Sequence, residues 1–203
     1  MLALTGCRTF VGDTDVRASA DEDPPASAET SGGSHGNQWP LPDAALRPTP
    51  LHFGLFVTPD PDHNPINPPE RFTGYHAATD FELLSGEESG DIPVFAICRG
   101  QVAFSGFAEG YGGLLIQRCR LKEEDVTVLY GHLKLDPLPA EGEMLKPGEQ
   151  ISLLADARSY ESGWTRKHLH LGIHRGRRID LRGYAQEQDD LKDYLDPQSI
   201  LPL

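Results

Sequence analysis

The sequence has no apolar run approaching the roughly 20 residues that a membrane-spanning helix needs, so it contains no such span. Basic residues are few: 18 Lys and Arg stand against 31 Asp and Glu, for a formal net charge of −13. That balance opposes nucleic acid as a partner, because phosphate binding needs clustered cations to displace counterions. The densest basic spot, Arg175, Arg177 and Arg178, reads as a solvated loop. There are only three cysteines, so no four-cysteine metal site can form. No internal repeat is evident. Glycine and proline, by contrast, are plentiful at 21 and 17 of 203 residues. They call for many turns and short strands and rule out a helical bundle.

The length suits one domain plus an appendage. Leu4-Thr5-Gly6-Cys7 resembles the lipobox of bacterial lipoproteins, in which the cysteine receives lipid. Only six residues precede Cys7, fewer than the basic region and ~7–15 apolar residues of a secretory signal. Residues 1–7 are therefore read as a truncated lipoprotein signal whose lipidated Cys7 would tether the chain to a membrane, the alternative being an accidental match. Residues 8–45 are rich in Ser, Ala, Asp, Glu, Pro and Gly and poor in large apolar residues, the composition of a disordered tether. Such a chain spans on the order of 30–35 Å, from ~5–6 Å times the square root of its length. Residues 46–203 form the folded domain.

Within that domain, Pro93–Cys98, Gln101–Phe104, Gly113–Gln117 and Val126–Tyr130 are short, glycine-punctuated, strand-favouring runs. Lys146-Pro147-Gly148 is a turn, and Gln150–Leu154 and Lys167–Ile173 supply further strands. The expected fold is mainly β, an antiparallel sheet or sandwich with one short C-terminal helix over Ala185–Tyr194, closed by Asp196-Pro197. Cys98 and Cys119 each sit near a strand end, either bridged or as two buried thiols.

Histidines carry the chemical signal. In the alternating run Lys167–Ile173, His168 and His170 share one face and Leu169, Leu171 and Ile173 the other. That pair reads either as a metal or catalytic site or as an ordinary polar sheet face. His76-Ala77-Ala78-Thr79-Asp80 adds an imidazole and a carboxylate, both of which zinc accepts. With His170 they make a two-histidine, one-carboxylate set that leaves a fourth tetrahedral position open, the arrangement of catalytic zinc. His132 ends the run Val126–His132, and strand alternation places it on the face of Val126, Val128 and Tyr130. His35, His52, His63 and His174 are left as polar residues without an assigned role.

The ordered motifs His76-x-x-x-Asp80, Tyr130-Gly131-His132-Leu133 and His168-Leu169-His170 resemble the lysostaphin-type zinc metallopeptidases that cut cell-wall peptide cross-links. The similarity covers roughly Phe72 to Leu201 and includes Gly112-Gly113 and the Lys146-Pro147-Gly148 turn. The resemblance implies a compact β domain of the duplicated hybrid motif type with a long open groove. It implies one Zn2+ bound by His76, Asp80 and His170, with His132 and His168 beside it as catalytic residues, and peptidoglycan peptides as substrate. It also implies an extracytoplasmic place in the bacterial envelope, and leaves open a regulatory protein that gates the groove. Ala78, Leu171 and the segment Ser159–Lys167 depart from the family pattern; the last borders the groove and bears on substrate preference. A non-catalytic wall-binding or hydrolase-activating relative is the alternative, against which the full set of five residues speaks. A zinc peptidase acting on proteins or free peptides is a third reading.

Overall fold

The computed structural model describes residues 38–201. The segment read as a lipoprotein signal, with Cys7, and the expected tether as far as residue 37 lie outside the described residues. The end of the expected tether does not: Leu41 and Ala44 are buried in the main core, Trp39 packs against it, and Gln38 N donates to Ile97 O at 3.0 Å. Residues 38–45, expected in the tether, therefore belong with the packed domain. Three apolar side chains were too sparse a pattern to stand out in a polar stretch.

The strands are β1 (Phe56–Val57), β2 (Gly74–His76), β3 (Ala78–Phe81), β4 (Pro93–Phe95), β5 (Gly100–Ala108), β6 (Gly112–Leu121), β7 (Glu124–Leu133), β8 (Met144–Leu145), β9 (Gln150–Leu153), β10 (Leu169–Arg175), β11 (Tyr184–Ala185) and β12 (Tyr194–Leu195). The main antiparallel sheet runs β12-β10-β7-β6-β5-β8, with β3 also paired to β10. Strands β1, β2 and β11 form a second sheet, and β4 pairs with β9. This is the mainly β, antiparallel architecture expected from the sequence.

Strand alternation places the core. Leu115 and Cys119 of β6, Val126, Val128 and Tyr130 of β7, and Leu169, Leu171 and Ile173 of β10 share one face of the main sheet and are all buried. The opposite face carries a smaller cluster of Tyr111, Leu114, Ile116 and Leu129. One polar network is enclosed by the larger core: Tyr130 OH accepts from Ile97 N (3.0 Å) and donates to Gln117 Oε1 (3.2 Å), while Gln117 Nε2 donates to Cys98 O (2.9 Å). Every member has a partner, which is what makes burial tolerable. Cys98 and Cys119 are bridged, with Cα atoms 6.2 Å apart. Closing a loop of 21 residues contributes about 3 kcal/mol in the chain-entropy account.

Two expectations are corrected. Ala185–Tyr194 is not an α-helix: Tyr184–Ala185 pairs with β2, Tyr194–Leu195 pairs with β10, and only Gln188–Asp193 between them coils, as a 3-10 turn. Strand pairing at both ends overrides the local helical pattern. The short α-helix, α1, spans Pro197–Ile200 and is opened, not preceded and closed, by Asp196-Pro197: Asp196 Oδ1 accepts from Gln198 N at 3.0 Å and Pro197 occupies the first turn.

The second correction concerns His132. Gly113 pairs with Leu133 and Leu114 with Gly131, so His132 is an extra residue in the β7 ladder. Its φ of 65° is left-handed. The bulge returns Leu133 to the core and turns His132 away from Val126, Val128 and Tyr130, towards the side occupied by His168 and His170. Glycine is required opposite: a Cβ on Gly113 would meet Leu133 O at 2.0 Å. Gly113→Ala is expected to lower the unfolding free energy by on the order of 3 kcal/mol, read from urea denaturation. A loss below about 1 kcal/mol would show that the bulge relaxes around the methyl group.

Candidate functional site

Strands β3 and β10 place Asp80 directly opposite His170, and Gly131 of β7 lies opposite His170 on the other side. His76 ends β2 in the second sheet; the chain passes from one sheet to the other at Ala77, whose N donates to Gly183 O at 3.0 Å. That crossover brings a histidine and an aspartate four residues apart to one point. His76 Nδ1 donates to Leu51 O (3.1 Å), which fixes the tautomer and leaves the Nε2 lone pair facing the cluster. His76 Nε2, Asp80 Oδ1 and His170 Nδ1 then stand 3.4 Å (His76 to Asp80), 2.9 Å (Asp80 to His170) and 3.3 Å (His76 to His170) apart.

These three distances test the metal reading. Ligand atoms ~2.0–2.1 Å from a tetrahedral cation lie about 3.3–3.4 Å from one another. Two of the separations fall there and the third is slightly shorter, so the donor set fits a small tetrahedral cation without rearrangement. All three residues are buried. Among the described residues they are the group of three or more His, Cys, Asp or Glu residues able to share one ion.

His168 and His132 flank the cluster. His168 Nδ1 donates to Arg166 O (3.0 Å) and its Nε2 lies 3.2 Å from Asp80 Oδ2. His132 Nδ1 donates to Ser162 O (2.9 Å), leaving Nε2 free, and its ring centre is 4.4 Å from that of His168. Burial, reinforced by the neighbouring His168 and His170, holds the His132 pKa well below the usual histidine range, so its Nε2 is a proton acceptor near neutrality. Burial lowers His170 as well, although its bond to Asp80 opposes the shift. For Asp80, burial works against the charge, yet His168 and His76 outweigh it and keep the carboxyl ionised far below its ordinary range.

The sequence-predicted five thus converge, while His52 and His63 are exposed elsewhere and His35 lies outside the described residues. His174 stays in β10, its Nε2 3.7 Å from Asp180, on the same side of the strand as His170 but outside the cluster. Sequence reasoning missed Arg166. Its Nη2 donates to Asp80 Oδ2 (2.6 Å), its Nε to Glu82 Oε1 (2.8 Å) and its Nη1 to Glu70. The signal available was a bulky cation inside the segment that departs from the family's small-residue turn. Tyr111 and Tyr184 also wall the site, with ring centres 5.3 Å from His170 and 5.2 Å from His76 respectively. The five residues open onto a groove of about 870 Å³ that Asp80, His132, His168 and His170 line directly.

The family model of peptidase family M23 matches residues 74–181, more than half of the chain. The chain belongs to peptidase family M23. Among solved structures, the M23 domain is similar to the catalytic domain of the antimicrobial peptidase lysostaphin from Staphylococcus simulans, at 18% identity and a TM-score of 0.51 over 78% of this chain and 94% of that one. It is also similar to Helicobacter pylori Csd3, at 16% identity and a TM-score of 0.49 over 83% of this chain and 35% of that one. A third likeness is to LytU, at 21% identity and a TM-score of 0.48 over 75% and 84% of the two chains. No curated protein sequence matches the chain. The likeness to lysostaphin supports the fold, and the family match supports a peptidase.

Arg166 faces three carboxylates that together carry two more negative charges than it neutralises, the balance a divalent cation would complete. Arg166→Ala is expected to lower the unfolding free energy by about 3 kcal/mol, the low end of the cost of breaking a buried ion pair. Added divalent metal should recover part of that loss by supplying positive charge beside Asp80. Urea denaturation with and without metal measures both effects.

Proposed function

We propose that the chain is a zinc-dependent endopeptidase that hydrolyses cross-links or stem peptides of bacterial peptidoglycan. The observation that carries this reading is the near-tetrahedral spacing of His76 Nε2, Asp80 Oδ1 and His170 Nδ1 at the floor of an open groove. Its two-histidine, one-carboxylate chemistry suits zinc better than calcium or magnesium, which favour all-oxygen shells. Bound there, zinc would supply a Lewis acid for the scissile carbonyl and bring the pKa of water towards ~7.

The protein's own groups divide the remaining work. His132, uncharged near neutrality and with Nε2 free, accepts the proton of the attacking water. His168 is held by the Arg166 carbonyl, and a proton on its Nε2 is met by Asp80 Oδ2. It is therefore placed to steady the negative charge that develops on the substrate oxygen and to hand a proton to the leaving amine. Tyr111 and Tyr184 hold the imidazoles in place; burial foremost raises both phenols above the usual tyrosine range, so both stay neutral.

An extracytoplasmic location is part of the proposal. The Cys98–Cys119 bridge suits an oxidising compartment, and lipidation at Cys7 would put the domain within tether reach of the wall.

The test is mass spectrometry of products released from purified peptidoglycan by the chain, by a chelated sample and by His168→Ala. New peptide termini are expected from the untreated chain alone. His170→Ala should lose zinc, whereas His168→Ala should keep it and lose turnover by about 10²–10⁴-fold. No cleavage by zinc-loaded protein would favour a wall-binding or hydrolase-activating relative, and equal zinc loss in both variants would refute the division of roles.

A further inference from the structure

The groove gathers arginines in a strongly acidic chain. Against a net charge of −13, four arginines line the groove: Arg71, Arg158, Arg166 and Arg182. Two are committed internally. Arg166 is spent on Glu70, Asp80 and Glu82, and Arg182 is paired with Asp180 at 2.6 Å. The other two are exposed, and neither has a carboxylate partner among the described residues. Arg71 offers one weak donation, Nη2 to Gly163 O at 3.4 Å, and sits 5.1 Å from the centre of the Phe72 ring; the Arg158 side chain has no hydrogen bond at all. On the acidic side, the lining carboxylates Glu70 and Asp80 are both held by Arg166, which leaves Glu109. Among the described lining residues, two arginines but one carboxylate are therefore without an ionic partner.

The backbone that presents Arg158 is built at a cost. Arg158 and Trp164 both have left-handed φ, 58° and 66°, in one short loop. Non-glycine residues rarely adopt that conformation, because it brings Cβ close to the following carbonyl oxygen. The bonds that hold the loop in it include Arg158 N to Thr165 O (2.7 Å), Trp164 N to Ser159 O (2.9 Å), Ser159 N to Ser162 Oγ (3.0 Å) and Ser162 N to Ser159 Oγ (3.1 Å). What they display is an indole that is 67% exposed and an unpaired guanidinium, both lining the groove. The same loop supplies the Ser162 carbonyl that orients His132. One segment thus presents Arg158 and Trp164 to the groove and holds the His132 ring.

We infer that the groove selects anionic peptides, with Arg71 and Arg158 taking free carboxylates that flank the scissile bond. A guanidinium is suited to the task because its planar fork matches a carboxylate bidentately. Local positive charge is also what an acidic protein needs to draw in a substrate of its own sign. Phe72, next to Arg71 in sequence, and Trp164, in the same loop as Arg158, offer apolar contact to the adjoining peptide. The inference rests on the groove being a peptide-binding site, as proposed above, but not on turnover.

The test uses two matched synthetic peptides, one with two free carboxylates flanking its central peptide bond and one with both converted to primary amides. Binding is measured calorimetrically to the His168→Ala chain, which does not consume the peptide. The acid form is expected to bind about tenfold tighter than the amide, a preference that shrinks with added salt as expected for exposed charges. Adding Arg71→Gln and Arg158→Gln should bring the ratio below about twofold. Equal binding of the two peptides by the arginine-bearing chain, or a preference that survives loss of both arginines, overturns the inference. Should the double variant fail to fold by circular dichroism, the acid-to-amide ratio of the arginine-bearing chain and its salt dependence still decide. If zinc-loaded wild type releases no peptides from peptidoglycan while the acid form binds preferentially, the peptidase reading falls and the selection of anionic peptides stands.

Discussion

One carboxylate faces two ways. Asp80 turns Oδ1 towards His76 and His170, and Oδ2 towards Arg166 and His168. A buried charge is tolerable only when paired and hydrogen-bonded on every side. Meeting that condition draws together β2, β3, β10 and the segment before β10, which supply the five groups involved. The strand register follows the same demand, because Asp80 and His170 can share a ligand position only while β3 and β10 pair them directly. A one-residue slip would turn every side chain of β3 to the other face and empty the site of its acid.

Much of this was legible in the sequence. The His-Leu-His alternation placed two imidazoles on one face of a strand, and the apolar residues between them did pack into the core. What escaped was whatever depended on a break in local pattern. The face of His132 could not be read by counting twos, because a bulge inserts a residue there and its backbone turns left-handed. Arg166 escaped for another reason: its partners Glu70, Asp80 and Glu82 are 84 to 96 positions away in the chain, and no spacing rule joins them. Trp39, Leu41 and Ala44, packed residues within the expected tether, were too few to show against their polar surroundings, and the expected helix over Ala185–Tyr194 yielded to strand pairing at each end.

Within the site, orientation is set by main-chain carbonyls more than by acidic side chains. Leu51 O holds His76, Ser162 O holds His132 and Arg166 O holds His168, each at Nδ1. A carbonyl acceptor fixes a tautomer without adding charge. Asp80 is thus left as the one formal negative charge among the five converging residues. The electrostatic character of the site is then tuned from outside it, by the guanidinium at Oδ2 and the two further carboxylates that this guanidinium also serves.

That quartet links distant parts of the genetic record. An arginine at 166 makes acidic residues at 70 and 82 useful, and those acids have no comparable role beside a residue without charge. Descendants that replaced the arginine by a small residue would find two unpaired carboxylates next to a site already holding one, and selection would favour their loss. Positions 70, 82 and 166 are therefore expected to change as a set across the lineage of this chain, while position 80 stays fixed throughout.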